Sequence, residues 1–165
     1  MATIDMADWD GDGINAPSQA AAVKRAYVIS RTIDLAVATT SKGSALAQSD
    51  VIEVLNIPAG VMVLAANAKK VTAMTGTSTD LTIDIGVTGG DVDNFVDGWD
   101  FDGAAVGSWA TPLGIQEPVM VSSADTIDLL FVTQTGTVTG GKICVSAVCV
   151  DLDPADRAGL AALGS

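Results

Sequence analysis

The sequence predicts an all-β protein, an antiparallel β-sandwich with jelly-roll-like topology and about eight strands. The first observation is a repeated alternation of apolar and polar residues, which is the pattern of strands with one buried face. The second is that segments rich in Gly, Thr, Ser and Asp separate these stretches, as turns do. The third is that no convincing helix stands between them, whereas a parallel sheet needs crossover connections of about ten residues or more.

The first predicted strand starts at residue 26 and runs to residue 35. Its proposed inner face consists of Tyr27, Ile29, Ile33 and Leu35, and Arg31 interrupts that face. Ser30, Thr32 and Asp34 take the opposite positions. We expect one continuous strand here, because the period of two continues through Leu35.

Residues 50–57 and 61–73 form the next two predicted strands. The segment between them has Pro58 as the second residue of a turn that starts at Ile57 and Gly60 as the fourth, which is typical of a type I turn. A short turn between two strands favours a β-hairpin. We therefore expect these two strands to pair, with Lys69 and Lys70 at a solvated strand end.

The later strands have the clearest alternation. Apolar residues at 81, 83, 85 and 87 alternate with Thr82 and Asp84, and those at 127, 129 and 131 alternate with Thr126 and Asp128. Residues 143–151 form the last predicted strand, and 94–99 and 117–121 are weaker candidates. The likeness of the two clear segments fits either a duplicated Greek key or two independent half-buried strands.

The domain organisation predicted from these patterns has three parts. Residues 1–25 form an acidic N-terminal arm, residues 26–153 the sandwich domain, and residues 154–165 a C-terminal tail. We expect no membrane span, because the uncharged run at 54–68 is short and broken by Pro58 and Gly60. The acidic start also lacks the basic and apolar regions of an export signal.

Charge and the absence of histidine limit the classes of function. The chain has 20 acidic and 8 basic residues, for a net charge of −12, so phosphate backbones are repelled and we expect no nucleic-acid partner. There is no histidine, which excludes Ser-His-Asp and Cys-His triads and removes the commonest general base. We therefore predict a protein that is not an enzyme and has no catalytic residues.

Two cysteines lie in the last predicted strand. Cys144 and Cys149 are five residues apart, so they point to opposite faces about 16 Å from each other and cannot form a disulfide within the strand. They are either two free thiols packed as small apolar residues or, in part, an intersubunit bridge.

One motif in the arm has a metal-binding pattern. Asp8, Asp10 and Asp12 are followed by Gly13, which matches the first half of a calcium-binding loop. The twelfth position of that loop is Gln19, where a bidentate Glu would be expected. The segment is therefore either a Ca²⁺ site or a solvated acidic turn, and Ca²⁺ is the one cofactor that the sequence suggests.

A second acidic segment contains two aromatic residues. Five aspartates lie between residues 91 and 102, and no basic residue lies between Lys70 and Lys142. Asp97, Trp99 and Asp100, together with Trp109, form a candidate contact site for a glycan or a protein partner. The alternatives are a cation site and loop carboxylates in water, with a tryptophan closing the end of the sandwich.

The strand and turn pattern resembles a known group of viral proteins. The segments that carry the resemblance are 50–60, 82–86 leading into 94–98, and 125–129, within residues 26–153. They are similar to small structural proteins of tailed bacteriophages that are described as capsid decoration or cement proteins. The resemblance implies a homotrimer bound to the major capsid protein on the outer capsid surface, made in the cytoplasm of the infected host.

Two other interpretations of the sequence remain at this point. One is a carbohydrate-binding or adhesin-type sandwich, virion-borne or not, that uses Trp99, Trp109 and the neighbouring aspartates. The other is a structural module stapled by calcium.

Overall fold

The computed structural model describes residues 3–5, 26–88, 90–111 and 116–152 of the chain. These residues form nine strands and one helix. The elements are β1 Thr3–Asp5, β2 Ala26–Asp34, α1 Leu35–Lys42, β3 Val51–Ile57, β4 Val61–Gly76, β5 Asp80–Val87, β6 Val96–Asp100, β7 Val119–Val121, β8 Asp125–Thr135 and β9 Val138–Asp151. No helix among the described residues is long and apolar enough to cross a membrane.

The strands form two sheets that face each other. The sheet we call sheet A has the order β1-β3-β8-β5-β6, and sheet B has the order β2-β9-β4-β7. All neighbouring strands are antiparallel except β1, which pairs in parallel with β3. The predicted all-β sandwich is therefore confirmed.

The core lies between the two sheets and is almost entirely aliphatic. Alternate residues of the strands point inward, as in β9, where Ile143, Val145, Ala147 and Cys149 are all buried. Three phenylalanines, Phe95, Phe101 and Phe131, are fully buried. The core is thus made mostly of the Val, Ile, Leu and Ala side chains that suit a pleated surface, with these three phenylalanine rings within it.

The first predicted strand ends earlier than expected, and its last residue, Leu35, begins a helix. The carboxylate of Asp34 caps α1 by accepting a hydrogen bond from Ala36 N at 3.0 Å. Gly43 ends the helix in the left-handed conformation, with φ of 76°, as is common after a C-terminal turn. The prediction of a strand through Leu35 with no helix is wrong, because eight residues are too few to reveal a helical period.

The predicted hairpin between residues 50–57 and 61–73 is also wrong. β3 pairs with β1 and β8 in sheet A, whereas β4 pairs with β7 and β9 in sheet B. The turn itself is present, but Val61 N donates to Pro58 O at 3.4 Å, so Gly60 is its third residue, with φ of 81°. The short connection crosses between the sheets, which local alternation cannot distinguish from a hairpin.

The two similar segments lie in neighbouring strands of sheet A. β5 pairs with β8 in antiparallel register, with Ile85 opposite Leu129 and Val87 opposite Ile127. The polar positions that alternate with these residues do not face open solvent, since Asp84 and Asp128 are both buried. The outer side of this part of sheet A is therefore covered, which corrects the expectation of a solvated polar face.

Candidate functional site

A buried lysine organises the loop that follows β6. Lys70 is only 3% exposed, which corrects the prediction that it lies at a solvated strand end. Its Nζ donates hydrogen bonds to the carbonyl oxygens of Phe101, Asp102 and Ala104 at 2.7, 3.1 and 2.8 Å. It also lies 4.8 Å from the centroid of the Phe101 ring. The lysine therefore stabilises the loop through its backbone.

The protonation state of Lys70 follows from these contacts. Burial lowers the pKa of its amine, and the nearby carboxylates of Asp102 and Asp100 oppose that shift. A neutral amine has two N–H groups, whereas three carbonyl oxygens accept from Nζ. The observed geometry thus requires the ammonium form, which has three donors.

The same loop continues along the edge of β4 and positions Trp109. Gly107 N donates to Lys70 O at 2.7 Å, and Lys70 N donates to Ser108 O at 3.0 Å. Ala110 N then donates to Ala68 O at 2.7 Å. Trp109 lies opposite Lys69 in an isolated antiparallel bridge, so the backbone holds this tryptophan against the sheet edge.

A surface depression of about 420 Å³ lies between this loop and β6, and we call it the Trp109 depression. It brings together all four residues predicted as a glycan or partner contact. The lining includes Asp97, Trp99, Asp100 and Trp109, together with Gly98, Gly103, Ala104, Ser108 and Thr111.

The two tryptophans have different roles in the Trp109 depression. Trp99 is 7% exposed and packs edge-to-face on Phe101, with ring centroids 5.2 Å apart. Trp109 is 51% exposed, and Lys69 Nζ lies 5.8 Å from its ring centroid. Asp100 is held at the rim, where its Oδ1 accepts from Gly103 N at 2.8 Å. An exposed ring beside carboxylates can contact a sugar or a protein side chain.

A cluster of carboxylates lies beside the Trp109 depression. One carboxylate oxygen from each of Asp84, Asp93 and Asp97 lies within 4.8 Å of the others. Asp84 comes from β5 and accepts a hydrogen bond from Gly98 N at 2.6 Å. Hard cations such as Ca²⁺ prefer oxygen ligands of this kind, so these three residues are the ones among those described that could hold a metal ion.

Burial, a hydrogen bond and repulsion between like charges all raise the pKa of carboxyl groups in this cluster. Burial raises the pKa of Asp84, against the effect of the Gly98 N–H and together with repulsion from Asp97. The pKa of Asp93 is also raised, chiefly by a hydrogen bond with the Asp91 carboxyl and then by burial. A proton or a cation is therefore favoured at this position.

The sequence interpretation missed Asp84 because it places this residue on an open polar face. The signal that could have located it is the glycine two residues later. A Cβ at Gly86 would lie 2.1 Å from Asp91 O and 2.3 Å from the carbonyl carbon of Val92. The segment around Asp91 thus packs directly on β5. As a result, Asp93 and Asp97 lie close to Asp84.

Asp8, Asp10 and Asp12 lie outside the described residues, so their role in binding Ca²⁺ stays a prediction. Residues Thr3–Asp5 of the acidic arm form β1 along the edge of β3. The rest of the arm, and the tail after residue 152, also lie outside the described residues.

Asp128 is a second buried carboxyl group in sheet A. It is 3% exposed, and neither of its carboxylate oxygens makes a hydrogen bond of ordinary geometry. Burial raises its pKa to about 7, while the Thr126 hydroxyl acts in the opposite direction and Glu53 and Asp125 add repulsion. Asp128 therefore gives the fold a group that titrates near neutral pH.

The two cysteines lie on opposite faces of β9 as free thiols. Cys149 is fully buried, and burial raises the pKa of its thiol to about 11. Cys144 is half-buried on the outer face of sheet B. The prediction that they are not bonded to each other is confirmed, while an intersubunit bridge stays a prediction.

Comparisons with known proteins give similarity in structure only. No family model and no curated protein matches the sequence. A chain in the capsid of Ralstonia phage GP4 is similar with a TM-score of 0.56 and 16% identity, over 91% of this chain and 98% of that chain. A chain in the capsid asymmetric unit of cyanophage Pam1 is similar with a TM-score of 0.51 and 15% identity, over 77% and 85% of the two chains. The protein therefore shares its fold with chains of phage capsids.

Proposed function

We propose that this protein is a non-enzymatic virion structural protein that decorates and stabilises the outer capsid lattice of a tailed phage. The observation that carries the proposal is the fold shared with the GP4 capsid chain, which extends over 98% of that chain's length. The partner in this proposal is the major capsid protein. The decorating unit is a homotrimer that forms in the host cytoplasm before it binds the virion.

The charge and chemistry of the chain agree with such a role. A net charge of −12 without histidine provides little for catalysis, but it keeps a free subunit dispersed and complements a basic patch on a shell. The exposed Trp109 and the carboxylates of its depression then act as contacts to the shell protein. Aromatic side chains that are half-exposed on a rigid support are common centres of protein interfaces.

The acidic arm contributes to attachment in this proposal. Residues 1–25 carry Asp5, Asp8, Asp10 and Asp12, and in this proposal these carboxylates contact a neighbouring subunit of the shell. We expect deletion of residues 1–22 to reduce occupancy of shells made from the major capsid protein, measured by co-sedimentation. The deletion also removes β1, so the variant Asp8→Asn, Asp10→Asn, Asp12→Asn, with β1 intact, is tested beside it. Full occupancy by both variants would exclude a role for the arm.

A second candidate function is favoured by the Trp109 depression. The four residues predicted as a glycan contact do line one depression of about 420 Å³, so a carbohydrate-binding module carried on the virion is the alternative. It predicts a signal on a glycan array that is lost in Trp109→Ala and kept in Met120→Ala, since Met120 is equally exposed on another surface. A blank array with the unmodified protein would remove this candidate.

A further inference from the structure

The Trp109 depression has a negatively charged lining. It contains the carboxylates of Asp97 and Asp100, and both residues are exposed. Among the described residues that line the depression there is no lysine or arginine. The buried ammonium group of Lys70 attracts the carboxylate of Asp100, but three carbonyl oxygens already accept its three N–H donors. The two carboxylates therefore remain available to a cation from outside.

The carboxylate of Asp100 is oriented by the backbone at the edge of the depression. Its Oδ1 accepts a hydrogen bond from Gly103 N at 2.8 Å. A Cβ at position 103 would lie 2.4 Å from Asp100 Oδ2, so the absence of a side chain at Gly103 leaves room for the carboxylate in this position. An ionised carboxylate has about four acceptor positions, and this one is exposed. A partner can therefore bind it at a reduced cost of ordering the side chain.

The indole ring of Trp109 is the second part of the site. The residues on both sides of Trp109 are hydrogen-bonded to β4, through Ser108 O and Ala110 N, so the ring is presented from an ordered backbone. Trp109 is nevertheless 51% exposed. Lys69 Nζ lies 5.8 Å from the ring centroid, close to the limit of about 6 Å at which an aromatic face attracts a cation. A cation of a partner can therefore approach the exposed ring more closely than Lys69 does.

A guanidinium group combines the features that these residues recognise. It is planar and weakly hydrated, it stacks on an indole ring, and its N–H donors match carboxylate oxygens. A lysine ammonium is a compact, strongly hydrated charge that binds a carboxylate without stacking. A neutral sugar packs on an aromatic ring but leaves the charge of the carboxylates uncompensated. The volume of about 420 Å³ lies near the lower end for ligand pockets, about 300–1,000 Å³, which suits one long side chain.

We propose that the Trp109 depression binds an arginine side chain of the major capsid protein. The guanidinium group stacks on the exposed ring of Trp109 and donates hydrogen bonds to the carboxylates of Asp97 and Asp100. This inference rests on the proposed function, and it adds the chemistry by which the partner is recognised. In a homotrimer the site occurs three times, so three weak contacts act together in attachment.

The test uses a small probe in place of the whole shell. N-acetyl-arginine amide carries the guanidinium group, and N-acetyl-citrulline amide is its uncharged counterpart with nearly the same shape. The indole N–H signals of the three tryptophans are followed by NMR while each probe is added to the full chain. The variant Trp109→Phe assigns the Trp109 signal, because that signal is absent from its spectrum.

We expect the arginine probe to shift the Trp109 signal in a saturable way, and the citrulline probe to bind at least about tenfold more weakly. The double variant Asp97→Asn, Asp100→Asn should also bind the arginine probe about tenfold more weakly. Asp80→Asn, Glu117→Gln is the matched control, because it removes two negative charges at exposed positions outside the lining. We expect this control to bind the arginine probe like the unmodified protein. Circular dichroism melting checks that each variant is folded.

Three results of the titration would overturn the inference. They are the lack of a saturable shift of the Trp109 signal with the arginine probe, equal binding of the two probes, and equal binding of the arginine probe by the two double variants. A glycan-array signal that depends on Trp109, without binding of the arginine probe, would also overturn the inference and would favour the carbohydrate-binding candidate.

Co-sedimentation of the same variants with shells separates this inference from the proposed function. If the unmodified protein and Asp97→Asn, Asp100→Asn bind shells equally well, the arginine site is overturned and decoration stands. If the arginine probe binds as expected but the protein never co-sediments with shells, decoration is contradicted and the depression remains a site for a guanidinium group. Loss of shell binding in this double variant, but not in the matched control, supports both.

Discussion

Lys70 and Asp128 are both buried ionisable residues, but they differ in the hydrogen bonds available to their charged groups. Lys70 has three carbonyl acceptors for its ammonium group, whereas the Asp128 carboxylate makes no hydrogen bond of ordinary geometry. A satisfied buried charge fixes its surroundings, while an unsatisfied one lowers stability when ionised. Each residue therefore gives a distinct prediction.

Replacing Lys70 tests whether it holds the loop after β6. Lys70→Met leaves the carbonyl oxygens of Phe101, Asp102 and Ala104 without this donor, so we expect the free energy of unfolding to fall by about 2–5 kcal/mol. We also expect the exposure of the Trp109 ring to change, which is measured by how strongly a soluble quencher reduces the tryptophan fluorescence. Lys69→Met is the control, since its amine only lies over an exposed ring and is worth about 1 kcal/mol or less. Equal effects of the two variants would contradict the role of Lys70.

Asp128 predicts a dependence of stability on pH. Its pKa is raised to about 7 in the folded protein, so the folded state binds the proton more tightly than the unfolded chain. Stability from this group is present below about pH 4 and is lost as the pH rises to about 7, by an upper limit of about 4 kcal/mol.

The variant Asp128→Asn removes this titration. We expect its melting temperature to exceed that of the unmodified protein by several degrees at pH 8, because about 1 kcal/mol corresponds to roughly 2–4 °C for a chain of this size. The difference should shrink at pH 5, where Asp128 is protonated. Asp80→Asn, at an exposed position, should show no such change with pH. A pH-independent difference for Asp128→Asn would show that packing, and not charge, causes it.

At the residue scale, the alternation of apolar and polar residues predicted to which face of a strand a side chain points, but not whether another segment covers that face. The pattern correctly placed Asp84 and Asp128 opposite the core residues of their strands, yet both are buried. The reason is that a period of two reports which residues share a face, not whether another segment covers that face. For Asp84 the covering segment is brought in by a close approach at Gly86. The four residues predicted as a contact site line one depression, and their role in contacting a partner stays a prediction.

At the scale of elements, strand positions were predictable and strand partners were not. β5, β8 and β9 follow the predicted alternation closely, whereas β3 and β4 join different sheets despite the short turn at Gly60. β3 buries five of its seven residues, and β4 buries roughly every second residue of its first ten, all in the same core. Such apolar strands have the same kind of sequence in a hairpin and in a connection between sheets. Pairing is decided by contacts distant in sequence, such as β4 with β9.

The segment from β5 to β6 gives a prediction about metal binding. Asp84, Asp93 and Asp97 converge, and the pKa of Asp84 is raised chiefly by burial and that of Asp93 chiefly by the hydrogen bond with Asp91. A cation bound by the ionised carboxylates would therefore stabilise the folded protein. If calcium staples this module, Ca²⁺ raises the melting temperature and a chelator reverses the rise.

The double variant Asp93→Asn, Asp97→Asn locates the metal effect. We expect this variant to lose the rise in melting temperature that Ca²⁺ causes. If the cluster beside β5 is the site, that rise is kept in the triple variant of the arm, Asp8→Asn, Asp10→Asn, Asp12→Asn. The opposite result would place the ion in the arm, as the loop pattern predicts. No response in the unmodified protein would exclude a calcium staple of useful affinity.

At the scale of the whole molecule, carboxylates are concentrated beside β6. The carboxylates of the Trp109 depression and of the neighbouring cluster lie around β6 and its loops, at one edge of sheet A. On the outer face of sheet B, in contrast, the outward carboxylate Asp34 is paired with Lys142. In the proposed function the acidic surface beside β6 is therefore the one that complements a basic patch on a shell.

Decoration of the outer capsid surface can be observed in a reconstruction of shells. Shells assembled from the major capsid protein are imaged by electron cryomicroscopy with and without this protein added. We expect extra density on the outer surface at threefold positions, with the size of three sandwiches. Density inside the shell or on the tail, or no added density at saturating protein, would contradict it.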